Sequence, residues 1–130
     1  MAKITYSDTA YKQFEASVPD DLVGKEGYAV EIIGAGSAKI QLYNAGIPIG
    51  VLQERLEGSN AWNVRLFGKG GTCRAIAGGA INAPAYVKVA AGGKMVAAAS
   101  SDKCQGVMIQ PQVAAANDVI EVIDNPQVMP

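Results

Sequence analysis

The sequence predicts an all-β fold, a small β-barrel or sandwich of short strands with an internal pseudo-repeat, preceded by an N-terminal arm. Three observations predict it. From residue 28 onward, apolar and polar residues alternate with period two in short runs, and Gly, Asn and Ser punctuate those runs as turns. The second half also restates the first: Tyr28, Gly34-Ala35-Gly36 and Gly50-Val51-Leu52 recur as Tyr86, Gly92-Gly93 and Gly106-Val107-Met108. The offset is 58 for the tyrosines and 56 for Val51 and Val107, a difference that one shortened loop absorbs.

Residues 1–27 read as the arm, because Tyr6, Tyr11 and Phe14 stand among polar residues ahead of Val18 and Pro19. Tyr11, Phe14 and Val18 fall at helical spacing behind a Ser7 or Asp8 cap, which predicts a short helix ending near Pro19. Strands follow at 28–33, 38–43, 47–54 and 62–67, then at 73–77, 85–90, 95–98, 105–109 and 119–123. The β-rich domain thus covers 28–124, with pseudo-repeats at about 28–67 and 85–124. Residues 125–130 read as a polar tail, since Pro126 and Pro130 cannot donate to a sheet ladder.

Composition narrows the function classes. A 130-residue chain can bury roughly two thirds of the surface its unfolded form exposes. Aromatic residues make up only 6%, so Ala, Val and Ile carry the core. A net charge of −1, with both signs interspersed, argues against a nucleic-acid groove. No apolar run approaches the ~20 residues of a membrane span, and the first residues lack a secretion signal, so the chain is expected to stay in the cytoplasm that makes it.

Few residues suggest chemistry. The chain has no histidine, which removes Ser-His-Asp and Cys-His catalysis and leaves Cys73 and Cys104 without partners for a zinc site. The two cysteines read as reduced structural thiols, and whether they meet in space stays open. The glycines at 34 and 36 with Lys39 imitate a phosphate loop, but an alternating run follows where a helix would be required. Gly68, Gly70 and Gly71 read as a turn between strands. Asp20 and Asp21 are adjacent, so on an extended segment they point to opposite faces and do not suit paired acid–base work. Trp62 reads as a core or interface ring, with a sugar-stacking platform beside Asn60, Asn63 and Arg65 as the alternative. No enzyme, metal site or cofactor is expected.

The order Leu66-Phe67-Gly68-Lys69, Gly79-Ala80-Ile81, Tyr86-Val87-Lys88-Val89, Gly93-Lys94-Met95-Val96, Gly106-Val107-Met108 and Ala114 to Asp118, ending in the strand at 119–123, resembles the capsid decoration (cement) proteins of tailed bacteriophages. The resemblance spans about residues 51–124. Asn82 and Pro84 replace an expected Gly and acidic residue, and Asn117-Asp118 replaces Gly-Asp. It implies a non-enzymatic virion protein, assembled in the host cytoplasm, that sits as a homotrimer on the capsid's outer surface and stabilises the head by binding the major capsid protein. In such a role Ile4, Tyr6, Tyr11 and Phe14 are the expected capsid contacts, filling pockets while the arm adds a strand to a capsid sheet; the equal alternative is an arm folded back on its own domain or on its trimer neighbour. The alternatives are a glycan-binding β-domain using Trp62, or a tail-tube or connector component.

Overall fold

The computed structural model describes residues 9–34 and 38–128. Twelve strands and no helix occur among them. The first five, β1 (Tyr11–Ala16), β2 (Ala29–Ile32), β3 (Lys39–Leu42), β4 (Pro48–Arg55) and β5 (Ala61–Leu66), close a barrel in the order β1-β3-β2-β4-β5. A second sheet orders β6 (Thr72–Ile76), β12 (Val119–Val128), β10 (Lys103–Gln110), β8 (Ala85–Val89) and β9 (Met95–Ala97). Two short strands, β7 (Ile81–Asn82) and β11 (Val113–Ala114), pair with each other.

The second sheet repeats the barrel strand for strand. In the barrel, β4 and β5 pair Gly50 with Leu66, Val51 with Arg65 and Leu52 with Val64, then a bulge shifts the register to Glu54 with Asn63. Strands β10 and β12 pair Gly106 with Asp124, Val107 with Ile123 and Met108 with Val122, then shift to Gln110 with Glu121. The closing seam matches as well. Ala16 meets Ile40 in parallel pairing and Ser17 donates to the Ile40 carbonyl at 2.8 Å, while Ala77 bridges Met95 in parallel and Gly78 donates to the Met95 carbonyl at 2.7 Å. Among the described residues, that bridge and its neighbouring hydrogen bond join the ends of the second sheet, which makes it a half-barrel. Register aligns Ala29 with Tyr86, through their partners Val51 and Val107, so the two sequence tyrosines are one position out of step.

Both cores follow from this equivalence. Ala16, Val30, Ile40, Leu52, Trp62 and Val64 fill the barrel, and Ala77, Val87, Met95, Met108, Ile120 and Val122 hold the corresponding places in the half-barrel. Where the barrel packs Trp62 against Phe14, the half-barrel has Ile120 beside Ala75 and uses two methionines to fill the space. The units are stitched together. The Ala29 amide donates to the Gly93 carbonyl at 2.7 Å, the Gly92 amide donates to the Tyr43 carbonyl at 2.8 Å, and Ala29 and Val51 turn outward from the barrel into the second core.

Two expected segments are corrected. The helix predicted after Ser7 or Asp8 is strand β1, and Leu22 beyond it is fully buried in the barrel, so the described part of the presumed arm belongs to the first repeat. Phe14 and Ala16 also fit a two-residue period, and pairing with β5 on one edge and β3 on the other outweighs the helical spacing of Tyr11, Phe14 and Val18. The polar tail is instead the end of β12, where Gln127 pairs with Cys104 and Val128 with Lys103. Strand β6 pairs with β12 only up to Ile123, so Pro126 occupies a stretch with one free edge, where its missing N–H costs no ladder bond. Ile4, Tyr6, the Ser7 or Asp8 cap, the 35–37 part of the first glycine turn and Pro130 lie outside the described residues.

Candidate functional site

Trp62 is 1% exposed inside the barrel, and its Nε1 has no hydrogen-bond partner among the described residues. It faces inward because Trp62 and Val64 alternate with Asn63 along β5. A ring so placed offers no face to a sugar and no surface to another subunit, which overturns both the ligand-ring and the interface reading. Phe14 packs on the same core, half-buried. Both edges of β1 are paired, so it cannot add a strand to another sheet without opening the barrel. Of the four expected capsid contacts, Tyr11 alone is a described residue with an exposed side chain.

The most exposed large apolar side chain among the described residues is Ile47, at 78%. It stands at the turn between β3 and β4, and that turn is pinned from below. Glu31 on β2 is buried, accepts hydrogen bonds from the Asn44 amide at 2.8 Å and the Gly46 amide at 3.0 Å, and takes a third from the Gln41 side chain at 2.9 Å. Burial by itself raises the Glu31 carboxyl's pKa. The hydrogen bonds from Asn44, Gln41, Gly46 and Ala45 together outweigh it, so the group lies below its ordinary value.

A folded-state pKa below the unfolded value means that the clamp's stabilisation is fully present above the ordinary carboxylate range and is lost as pH falls through the lowered value. Urea unfolding at about pH 7 and about pH 3 checks this: the native protein is expected to lose more stability across that interval than Glu31→Gln, which has no carboxyl to titrate at this position.

Ile47 is flanked on one side by Ile32 and Ile49 and on the other by Phe67, Pro126 and Val128, which together form a mainly apolar face on the outside of both repeats, shared with Lys103, Gln105 and Gln127. A β-branched side chain has few rotamers to lose, and here it stands on a turn whose backbone is fixed by a buried carboxylate, so it loses little freedom on contact, as an interface anchor requires. In the sequence, an apolar residue between Gly46 and Pro48 in a turn was its only signal.

The junction between the repeats is polar and buried. Arg65 Nη1 lies 2.5 Å from Asp124 Oδ2, with both side chains almost wholly enclosed. Asp124 also accepts the amides of Gly68 at 2.9 Å, Lys69 at 2.8 Å and Gly70 at 3.2 Å, and Arg65 donates to the carbonyls of Leu66 and Gly70. Both members of the pair are hydrogen-bonded to the connecting turn and so build it. Cys73 sits close by, and burial pushes its thiol up to about 11, with Arg65 pulling down and Asp124 pushing up to a smaller extent. Cys73 and Cys104 are both free and buried. No group of His, Cys, Asp or Glu among the described residues could hold a metal ion.

The fold is thus a tandem of two five-stranded units, one closed and one nearly so, with an exposed apolar face and a buried ionic junction. Its architecture is similar to a solved structure described as the head fiber gp8.5 N base in bacteriophage phi29, at a TM-score of 0.64 and 13% sequence identity, over 88% of this chain and 92% of that one. At that identity the likeness establishes the all-β fold. No family model and no curated protein matches the chain.

Proposed function

We propose that the protein is a non-enzymatic structural component of a bacteriophage virion that binds the outer surface of the head. The observation that carries this reading is the fold shared with a phage head fiber base along nearly the whole of both chains. On this reading the partner is the major capsid protein, the bound form is a homotrimer, and the face centred on Ile47 makes the contact. Its support is physical: one anchored, exposed apolar residue within a larger apolar surface is the pattern that association sites use. This face replaces the N-terminal strand addition expected from the sequence.

Heads of the source phage lacking the protein would be mixed with it, pelleted and imaged by cryo-electron microscopy. The expected result is ordered density on the outer surface with three copies per site. Ile47→Asp should weaken binding by at least about tenfold, because it drives a charge into the apolar contact, yet leave the urea midpoint unchanged, because the side chain is solvent-exposed in the free protein. Absence of added density on those heads overturns the reading, and a hexameric ring in solution moves the tail-tube alternative ahead of it.

A further inference from the structure

The duplicated fold places two clefts at equivalent positions, and they meet. Each cleft lies where the bulge shifts the register between the fourth and fifth strands of a unit. In the barrel it is lined by Tyr11, Gln53, Glu54 and Asn63, and in the half-barrel by Thr72, Gln110, Glu121 and Val119. Arg74 lines both. Its Nη2 reaches the Gln53 carbonyl of the first unit at 3.4 Å, while its backbone pairs with Glu121 of the second. The two clefts therefore adjoin across the boundary between the repeats.

The lining has a consistent chemistry. Gln53, Asn63 and Gln110 each offer a donor and an acceptor on a planar amide, Glu54 and Glu121 offer paired acceptors, and Arg74 offers a donor fork. Glu121 is held in place by Thr72 Oγ1, which donates to it at 2.7 Å, and by the Gln110 side chain. Those two hydrogen bonds, Gln110 first and then Thr72, keep its pKa below the ordinary value and hence the group ionised. Apolar surfaces stand at both ends: the Tyr11 ring, 46% exposed, and Val119 with Pro111. Planar polar groups between apolar platforms match a sugar chain, whose rings show hydroxyl edges and C–H faces. Two carboxylates around a single arginine disfavour a phosphorylated or sulfated polymer.

We infer that this double cleft binds a neutral oligosaccharide, with Tyr11 as the stacking ring and Arg74, Asn63 and Gln110 as hydrogen-bonding groups. The site uses none of the Ile47 face, so it stands independently of head binding. It also puts sugar recognition at residues other than the buried Trp62.

The test is a printed array of neutral and anionic bacterial and plant oligosaccharides probed with the full chain. The best neutral binder is then titrated into isotope-labelled protein, with amide resonances followed by NMR. Expected are a neutral binder, shifts confined to β1, β5, β6, β12 and the two bulges, and at least about tenfold weaker binding by Tyr11→Ala and by Gln110→Ala, with Glu57→Ala binding as the native protein does. Tyr11 and Gln110 are both exposed, so circular dichroism of each variant should match the native spectrum. No neutral binder on the array, shifts that fall elsewhere, or native affinity in both cleft variants would each overturn the inference.

Discussion

Gly106→Ala is expected to unfold the protein or to leave it at least about 4 kcal/mol less stable, at the exceptional end of single substitutions. Gly106 on β10 faces β12 with no room between them: a Cβ there would overlap the carbonyl oxygen of Ile123 and press on the Val122 side chain. The clash is with backbone, so no rotamer change relieves it. Strand β10, the centre of the second sheet, would have to leave β12, its partner along most of its length. Gly50 stands at the matching place in the barrel and meets the Arg65 carbonyl oxygen in the same way. The two units share the requirement. Gly79→Ala is the control, since no atom lies within 4 Å of a Cβ there. Chemical denaturation of the three variants measures it, with Gly79→Ala within about 1 kcal/mol of native and Gly50→Ala falling with Gly106→Ala.

Asp124→Ala is expected to cost roughly 3–5 kcal/mol, the range for breaking one side of a buried ion pair. The loss has two parts. Arg65 would keep its charge with no carboxylate beside it, in a site where its side chain is 6% exposed. The amides of Gly68, Lys69 and Gly70 would lose their acceptor as well. The paired replacement of Arg65 and Asp124 by Met and Leu should recover part of the loss, because it removes the stranded charge while keeping volume. A urea midpoint for the double variant no higher than that for Asp124→Ala would show that the turn's hydrogen bonds, and not the ion pair, carry the effect.

Most of the strand pattern was legible because period two and glycine turns are local signals. Strands β2 to β6 and β8 to β10 start and end within a few residues of the expected places. Strand β1 was not legible, since Phe14 fits both a helical and an extended spacing and only its pairing with β3 and β5 decides between them. The end of β12 was missed because Pro126 is a breaker in a central strand and harmless on a free edge, and sequence alone does not say which applies. Strands β7 and β11 are too short for any periodicity to register.

The candidate surfaces were less legible than the fold. Trp62 is conspicuous in the sequence as a single large ring, yet its inward phase on β5 depends on barrel closure. The features the structure offers instead are ordinary residues in unusual places. Glu31 is a charge in the middle of an apolar strand, and Asp124 falls one residue past the last strand the alternation predicted. The double cleft depends on Arg74 touching Gln53, a contact between repeats that neither repeat's sequence contains.

Ala29 and Val51 give the duplication a history as well as a shape. A free-standing ancestor of the barrel would have shown these positions to water, whereas here they line the neighbour's interior. With its outer wall apolar in this way, each half depends on the other. Neither could be inherited, exchanged or shed alone without baring a sticky flank, so a later insertion or recombination event would be tolerated at the outward hairpins and purged at the seam.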